Sequence, residues 1–361
     1  MADDRLDEAM IQKAIRLARK GEGYTSPNPM VGAVVYKDGG IIATGFHTRA
    51  GDPHAERVAL ARAGDRARGA TLAVNLEPCC HHGRTGPCTD AIIAAGIKRV
   101  VFSMIDPFPQ VNGNGARVLS DHGVELVNGV ACDEAMRLNE VYLKFVATGR
   151  PFVVLKLAQS LDGRIATRTG QSRWLTSDKA RKVAHVLRAR YDAVVVGAGT
   201  IRTDNPQLTV RHVKGKNPRR IVVTTSPDLS TRSNVFSGNG DGNTVVATTR
   251  EVIRRGAYSA VTTWAIRSRA GRLDLGSLLE RAASEGMTSI MVEGGSQLAT
   301  SFLKAKVVDK LYLFTAPMIL GAGKEAIGDL SIRQPAEAVK FKEYGFEKIG
   351  RDMLFWGYPE G

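Results

Sequence analysis

Residues 71–97 read TLAVNLEPCCHHGRTGPCTDAIIAAGI, and this stretch decides the fold of the first half of the chain. The apolar run that begins it predicts a strand. The segment TDAIIAAGI at its end predicts a helix, with Thr89 as the N-cap and Gly96 near the C-terminus. Strands and helices alternate on both sides of the stretch, which is typical of a layered α/β domain.

The loop inside this stretch contains the thiols of Cys79 and Cys88, and the motif His54-Ala55-Glu56 precedes it. One imidazole and two thiolates supply three tetrahedral zinc ligands and leave the fourth position for water. Zinc lowers the pKa of such a water, and a carboxylate placed like Glu56, near the start of a helix, can move a proton to a leaving amine. The zinc-dependent nucleobase deaminases use this arrangement, with the signature H-x-E followed by P-C-x-x-C.

The spacing of the cysteines departs from that signature, because position 82 is His82 and the next suitable cysteine is Cys88. Zinc imposes geometry but no sequence spacing, so a longer loop can still supply the ligand. Neighbouring side chains compete as ligands, namely Cys80, His81 and His82. A closed structural site built from Cys79, Cys88 and two histidines is the alternative, and it leaves Pro78 and Glu56 without a role.

A second series of strands and helices begins after residues 148–151, where we place the domain boundary. One amphipathic helix is predicted just before it, over residues 133–147. The segments DAVVVGAGT and MVEGGSQLATSFLKA each predict a strand that runs through glycines into a helix, and backbone N–H groups at such turns bind phosphate. The fingerprint G-x-G-x-x-G is absent, which excludes a standard Rossmann motif. Buried lysines are rare unless paired, so we expect Lys156, in a predicted strand, to reach a ligand or a carboxylate.

The composition is that of a soluble globular protein, with 43% apolar and 24% charged residues in a chain of 361. This length suits two domains. No apolar run approaches the ~18 residues that span a bilayer, and the acidic start MADDRLDEAM lacks the apolar core of a secretory signal. We therefore expect no membrane partner and a cytoplasmic location, which the clustered cysteines also favour.

The net charge of +14 is unevenly distributed. Residues 151–361 hold 32 Lys/Arg and 19 Asp/Glu, whereas residues 1–150 hold 18 and 17. A basic half can meet an anionic small molecule or nucleic acid, or can simply aid solubility. A deaminase acting on tRNA is therefore the alternative hypothesis, and a scaffold without activity is a third. The basic residues are scattered and not interleaved with aromatic ones, which argues against a nucleic acid partner.

The motifs SPNPMVGAVV, GFH, HAE and EPCCHHGRTGPC resemble the deaminase half of the bifunctional riboflavin-biosynthesis deaminase–reductases. That family has the same long cysteine spacing, so the resemblance implies a Zn²⁺ ion on His54, Cys79 and Cys88, with Glu56 as the catalytic residue. It implies as substrate a diaminopyrimidinone that carries a ribosylamino 5′-phosphate, whose ring amine is replaced by oxygen with release of ammonia. The substrate-binding residues that it implies are Asn28, His47, His81, Arg84 and Asp106.

The segments KLAQSLDGRIA, SRWLTS, VVVGAGTIRTDNPQLTVR and MVEGGSQLATSFL resemble the reductase half of the same family, over roughly residues 151–355. The resemblance implies a dihydrofolate-reductase-like fold and hydride transfer from NADPH to C1′ of the opened ribosylamine, which gives a ribityl chain. It implies substrate contacts from Ser172, Arg188, Leu208, Arg211 and Glu293. It implies cofactor contacts from Ala158, Trp174, Thr200, Asp204, Thr225, Gly295, Ser296, Gln297, Leu298, Ala299, Thr300 and Ser301.

The predicted architecture is two three-layer α/β/α domains. Residues 1–149 form a cytidine-deaminase-like, zinc-dependent domain, and residues 150–361 form a dihydrofolate-reductase-like, NADPH-dependent domain. The expected partners are small phosphorylated pyrimidines, and exposed strand edges suggest a homo-oligomer.

Overall fold

Buried hydrophobic residues form two separate clusters along the chain, one between Ile11 and Leu138 and the other between Val153 and Leu311. In keeping with this, the computed structural model divides into two compact units, Met1–Gly149 and Arg150–Gly361. It describes residues 2–83, 86–237 and 243–360. Among these residues, no helix is both long and apolar enough to cross a bilayer.

The first unit is built on a sheet of order β2-β1-β3-β4-β5. Strand β1 pairs antiparallel with β2 and β3, whereas β3, β4 and β5 are parallel. Its strands are β1 (Gly32–Lys37), β2 (Gly40–Phe46), β3 (Thr71–Val74), β4 (Arg99–Phe102) and β5 (Glu125–Asn128). Its helices are α1 (Ala2–Ala18), α2 (Ala55–Ala63), α3 (Cys88–Ala94), α4 (Asn114–Asp121), α5 (Cys132–Leu138) and α6 (Glu140–Thr148).

The first two strands form an antiparallel hairpin, and its tight turn accounts for the local sequence Asp38-Gly39. Lys37 pairs with Gly40, so the loop consists of Asp38 and Gly39 alone. Both have positive φ, 51° and 78°. A two-residue turn with this geometry matches the right-handed twist of the flanking strands, and Asp-Gly is a sequence that adopts it readily.

The single helix predicted over residues 133–147 is wrong, because the structure breaks it at Asn139 between α5 and α6. The Asn139 side chain accepts a hydrogen bond from the Met30 N–H at 2.8 Å and donates one to the Met30 carbonyl at 3.1 Å. Both backbone groups of Met30 are thus satisfied by one carboxamide. This long-range contact has no signature in the periodicity of the helix itself.

The second unit is built on a sheet of order β11-β10-β9-β8-β14-β6-β15-β18-β17, parallel except for the last two strands. Its strands are β6 (Phe152–Ser160), β7 (Arg164–Thr167), β8 (Ala193–Gly197), β9 (Arg219–Val223), β10 (Thr244–Thr248), β11 (Thr262–Ala265), β12 (Ser268–Arg269), β13 (Arg272–Leu273), β14 (Ser289–Glu293), β15 (Lys310–Ala316), β16 (Gly323–Glu325), β17 (Phe341–Ile349) and β18 (Asp352–Pro359). Its helices are α7 (Asp178–Arg190), α8 (Ala198–Asp204), α9 (Arg250–Arg254), α10 (Leu275–Ser284) and α11 (Ser296–Lys304).

Two glycine turns of the second unit lie at the carboxyl ends of neighbouring strands, β8 and β14. Gly294 follows β14 with a φ of 157°, and a Cβ atom there would lie 3.0 Å from Thr200 Oγ1. The Gly295 N–H donates to the same hydroxyl at 3.2 Å. Glycine is therefore required for the close approach of the two turns. Ligands of open α/β sheets bind at this edge.

Candidate active sites

The predicted zinc ligands come together in the first unit. His54 Nδ1 lies 3.4 Å from the Sγ atom of Cys79 and 3.4 Å from that of Cys88. The three side chains form the one group of potential ligands found within the described residues. One imidazole and two thiols at such distances fit a tetrahedral zinc ion with one open position.

Helix starts place two of these ligands. His54 is the N-cap of α2 and Cys88 is the first residue of α3, while Cys79 follows β3 in the connecting loop. The Cys88 backbone N–H points at Cys79 Sγ, at 3.4 Å. The Cys88 thiol and the His54 ring, both in contact with Cys79, lower the pKa of its thiol, which favours the thiolate that a metal requires.

Glu56 lies in the first turn of α2 and is 3% exposed. Its Oε2 atom has no hydrogen-bond partner among the described residues. Burial, with the neighbouring Cys79 thiolate, raises the pKa of the carboxyl to about 7. A buried carboxyl with this pKa can both accept and donate a proton near neutrality.

A cavity of about 450 Å³ opens beside the cluster, and its lining includes His54, Glu56 and Cys79. Four predicted substrate-binding residues line the same cavity, namely Asn28, His47, His81 and Asp106. The fifth, Arg84, lies outside the described residues. The competing ligand Cys80 points elsewhere, since its thiol donates to the Gln110 carbonyl at 3.4 Å.

Asn28 and His47 form a pair whose proton positions follow from geometry. His47 Nδ1 lies 3.2 Å from the Pro53 carbonyl oxygen, so Nδ1 carries the proton. Nε2 then accepts from Asn28 Nδ2 at 3.1 Å. Burial lowers the pKa of His47 and favours this neutral form. The pair therefore fixes the orientation of the Asn28 amide.

Three residues of this site were missed by the sequence analysis. Tyr142 on α6 donates to Asp106 Oδ1 at 2.7 Å and, like Phe108, lines the cavity. Glu77 is 3% exposed, and its carboxylate accepts hydrogen bonds from three backbone N–H groups, of Asp106, Gly113 and Ala116. It thereby ties the loop that contains Cys79 to the start of α4. The acidic residue directly before Pro78 was the one signal in the sequence that could have indicated this anchor.

The second unit has two adjoining cavities, of about 450 Å³ and 400 Å³. The first, which we call the α7 cavity, contains all the predicted substrate contacts, Ser172, Arg188, Leu208, Arg211 and Glu293, and four cofactor contacts, Ala158, Trp174, Thr200 and Asp204. The second, which we call the hairpin cavity, is lined by the β12–β13 turn and by Thr225, Gln297, Leu298 and Ser301. Residues common to both are Gly199, Thr200, Gly295 and Lys324.

Part of the predicted cofactor segment does not line either cavity. Ala299 is 1% exposed and packs in the core of the second unit. Thr300 is buried, and its hydroxyl donates to the Ser296 carbonyl at 2.7 Å. Ser296, the first residue of α11, is also absent from both linings. A helix exposes only some of its side chains to one side, so these three side chains face away from both cavities, and their contacts with the cofactor stay a prediction.

A buried charge cluster lies at the end of β14. Glu293 binds Arg188 through two hydrogen bonds of 2.8 Å and Lys156 through one of 3.2 Å. Burial opposes the charge of Glu293, but the two cations outweigh it and hold the pKa of the carboxyl well below its usual range. The carboxylate expected for Lys156 is thus Glu293.

Arg211 is positioned by a histidine that the sequence analysis did not single out. The Arg211 backbone N–H donates to His185 Nδ1 at 3.2 Å. His185 is 5% exposed, and its ring meets that of His212 edge to face at 4.5 Å. Burial and the nearby cations lower the pKa of His185 to about 4, so the ring is neutral at physiological pH.

Two further features complete this region. Ser172 donates to Asp204 Oδ1 at 3.1 Å, which links a predicted substrate contact to a predicted cofactor contact. Trp174 is exposed, and the Arg181 guanidinium lies over its ring at 4.3 Å. Lys324 on β16 lines both cavities and was missed, since one exposed lysine in a loop-rich segment has no distinguishing pattern.

The two halves match two family models. Residues 4–104 match the cytidine and deoxycytidylate deaminase zinc-binding region. Residues 151–355 match the RibD C-terminal domain.

Relatives extend the match to the whole chain. The riboflavin biosynthesis protein RibD of Aquifex aeolicus is 42% identical over 97% of this chain and 98% of its own length. The RibD structure of Acinetobacter baumannii, form 1, is 34% identical with a TM-score of 0.89 and covers 99% of this chain and 100% of its own. The diaminohydroxyphosphoribosylaminopyrimidine deaminase/5-amino-6-(5-phosphoribosylamino)uracil reductase of Thermotoga maritima has a TM-score of 0.86 at 39% identity, with 99% and 100% covered. The family inferred from the motifs is confirmed: the chain belongs to the bifunctional deaminase–reductases of riboflavin biosynthesis, the RibD family.

Proposed function

We propose that the first unit carries out the deamination at a zinc ion held by His54, Cys79 and Cys88. The observation that carries this proposal is the convergence of the two thiol sulfurs, each 3.4 Å from His54 Nδ1, beside the buried Glu56 carboxyl, whose Oε2 is unpartnered among the described residues. Zinc bound there would lower the pKa of a water in the fourth position. Glu56 would accept one proton as the water oxygen bonds to the ring carbon, and would donate it to the leaving amine, which departs as ammonia. The second proton of the water would end on the ring nitrogen.

The cavity residues hold the pyrimidine. Asn28, fixed by His47, offers its carboxamide oxygen to a ring N–H, because its Nδ2 already donates to the histidine. Asp106 is oriented by Tyr142 and by the Phe108 N–H. His81 presents a buried Nδ1 without a hydrogen-bond partner among the described residues. Arg84, which lies outside the described residues, is assigned to the substrate by resemblance alone.

The second unit performs the reduction. NADPH supplies the hydride when bound. Thr200, Gly295 and Lys324, at the junction of the two cavities, would hold its pyrophosphate. Ala158, Trp174 and Asp204 would contact the nicotinamide half in the α7 cavity, and Thr225, Gln297, Leu298 and Ser301 would contact the adenosine half in the hairpin cavity.

The substrate occupies the rest of the α7 cavity. Arg211, whose charge has no carboxylate partner among the described residues, binds the 5′-phosphate. Arg188 is already held by Glu293, so it orients that carboxylate and contributes positive charge to the cavity. Ser172 and Leu208 contact the sugar and the ring. The substrates are therefore small phosphorylated pyrimidines, deaminated first and reduced second.

Two properties of the whole protein belong to the same proposal. The enzyme works in the cytoplasm, where its free cysteines stay reduced and available to metal. It also forms a homo-oligomer through the sheet edge at β17, where Tyr344 and Phe346 are 58% and 64% exposed. An aromatic edge strand is a ready template for pairing with a second copy.

A coupled assay on the zinc-replete protein tests the function. With the diaminopyrimidinone ribosylamino phosphate as substrate, ammonia should appear in the absence of NADPH. NADPH added later should be consumed only after ammonia has been released. Glu56→Gln should keep its zinc, lose deamination about 10²–10⁴-fold, and still reduce the supplied deaminated compound. Deamination that survives this substitution would exclude Glu56 as the proton carrier, and ammonia release that requires NADPH would exclude the order.

A further inference from the structure

The hairpin cavity carries an unusual charge for a site that takes the ribose of a dinucleotide. Its lining includes the cations Arg202, Arg272 and Lys324, and no carboxylate among the described residues. In Rossmann folds, NAD-binding sites place an acidic residue on the ribose 2′-hydroxyl, whereas NADP-binding sites have an arginine near the 2′-phosphate; the same charge logic applies to a phosphate site on another fold. The lining of this cavity matches the second case.

The three cations do not have equivalent positions. Lys324 is common to both cavities, and its Nζ lies 3.7 Å from the position of a Cβ built on Gly295, at the start of α11. It therefore belongs to the junction, where the pyrophosphate binds. Arg202 and Arg272 line the hairpin cavity alone, which leaves them for the adenosine ribose.

The position of Arg272 is fixed by a tight backbone turn, and its guanidinium has no ion-pair partner among the described residues. Ala270 and Gly271, with φ of 49° and 72°, form a two-residue turn between Arg269 and Arg272. The Arg272 side chain is exposed and makes no ion pair or hydrogen bond with any residue that the structure describes. A guanidinium held at a tight turn, with no competing carboxylate, can form the paired hydrogen bonds that a phosphate accepts.

Arg202 is held in a different way. Its Nη2 donates to Asp228 at 2.6 Å, and Asp228 also accepts from the Ser226 hydroxyl. Asp228 itself does not line the cavity. The aspartate therefore holds the Arg202 guanidinium at the cavity wall while four of its five N–H groups remain for a ligand.

We propose that Arg272, assisted by Arg202, selects NADPH over NADH by binding the 2′-phosphate in the hairpin cavity. The hydroxyl of Thr225, which follows β9 and lines the same cavity, is available to the phosphate as a further donor. This assignment rests on the proposed function, because it takes from it the placement of the adenosine half.

The kinetic test measures reduction of the supplied deaminated compound with each cofactor. Losing a hydrogen bond to a charged group costs about 1.5–3 kcal/mol, so Arg272→Ala should raise KM for NADPH about 10–150-fold. KM for NADH should not change, and Arg202→Ala should act in the same direction with a smaller effect. Arg254→Ala is the matched control, since Arg254 is an exposed arginine of the same unit that lines neither cavity.

A binding measurement removes any dependence on turnover. By calorimetry, the unaltered protein should bind adenosine 2′,5′-bisphosphate more tightly than ADP, and Arg272→Ala should abolish the difference. Equal binding of the two probes, or an Arg272→Ala variant that loses NADPH and NADH equally, would overturn the inference and leave the proposed function standing. A protein that oxidises neither cofactor would overturn both.

Discussion

The zinc cluster of the first unit and the charge cluster of the second are built from similar numbers of side chains but in opposite ways. The donor atoms of His54, Cys79 and Cys88 lie within 4.8 Å of one another, close enough to bind one metal ion together. Glu293, Arg188 and Lys156 satisfy one another with three hydrogen bonds. The first cluster is therefore suited to bind a metal ion. The second is a structural ion-pair cluster that positions side chains of the α7 cavity.

The largest effect should come from removing a zinc ligand. Cys88→Ala leaves two donors, and we expect loss of bound zinc and of ammonia release, because without the metal no water near the site has a lowered pKa. Zinc content by atomic absorption and the ammonia assay measure the two. Cys132→Ala is the control, since Cys132 begins α5 and is not part of the cluster. Full zinc occupancy in Cys88→Ala would assign the third ligand elsewhere.

Disrupting the charge cluster should lower the free energy of unfolding of the protein. Glu293→Gln leaves Arg188 and Lys156 buried without a counter-ion, and breaking such a buried pair costs about 3–5 kcal/mol. Urea unfolding measures the loss. The matched control is Glu325→Gln, because Glu325 is 60% exposed beside Arg164, and such a surface pair contributes about 0–1 kcal/mol. Equal losses in the two variants would show that the Glu293 cluster is no more structural than a surface pair.

Substitutions at His185 test whether this residue positions Arg211 for substrate binding in the α7 cavity. His185→Leu removes the acceptor of the Arg211 N–H, and the loss of such a hydrogen bond costs about 1 kcal/mol. KM for the phosphorylated substrate should therefore rise roughly fivefold, with kcat nearly unchanged. His185→Asn places a carboxamide oxygen where Nδ1 lies and should restore the value. An equal rise in KM for NADPH would contradict this role.

The same histidine predicts a pH dependence of stability. Its pKa is lowered from 6.5 to about 4 in the folded protein, so the unfolded chain binds the proton first as pH falls. The contribution of His185 to stability should therefore be fully present above pH 6.5 and decline towards pH 4, by up to about 3 kcal/mol. In His185→Asn the decline over this window should be shallower, which thermal unfolding at a series of pH values would detect.

The smallest effect should come from the wall of the deaminase cavity. Tyr142→Phe removes the 2.7 Å hydrogen bond to Asp106 and keeps the ring in place. Deaminase KM should rise severalfold, as expected for about 1 kcal/mol, with zinc content unchanged. Reduction of the deaminated compound serves as the internal control, and a change in its rate would contradict a local role for Tyr142.

The zinc site could be predicted from the sequence because metal ligands are few in type and stand in short motifs. Family, fold class and both cofactors followed from these motifs and are confirmed. Tyr142 could not be predicted, because the helix residues YLKFV do not reveal which side faces a cavity. Lys324 and Glu77 act through contacts with distant segments, which single-sequence patterns do not encode. Within the run 295–301, the sequence motif did not reveal that the side chains of Ser296, Ala299 and Thr300 are buried, and their contacts with the cofactor stay a prediction.

The separation of the two cores has a practical consequence for how the enzyme can be studied. Every buried member of the first cluster precedes Gly149 and every member of the second follows Arg150. A gene divided between these codons would leave each interior whole, and each of the three cavities described here is lined from one side of the cut. The two domains could then be mixed as separate polypeptides at chosen ratios. The rate of one reaction step could thus be varied while the rate of the other is held constant.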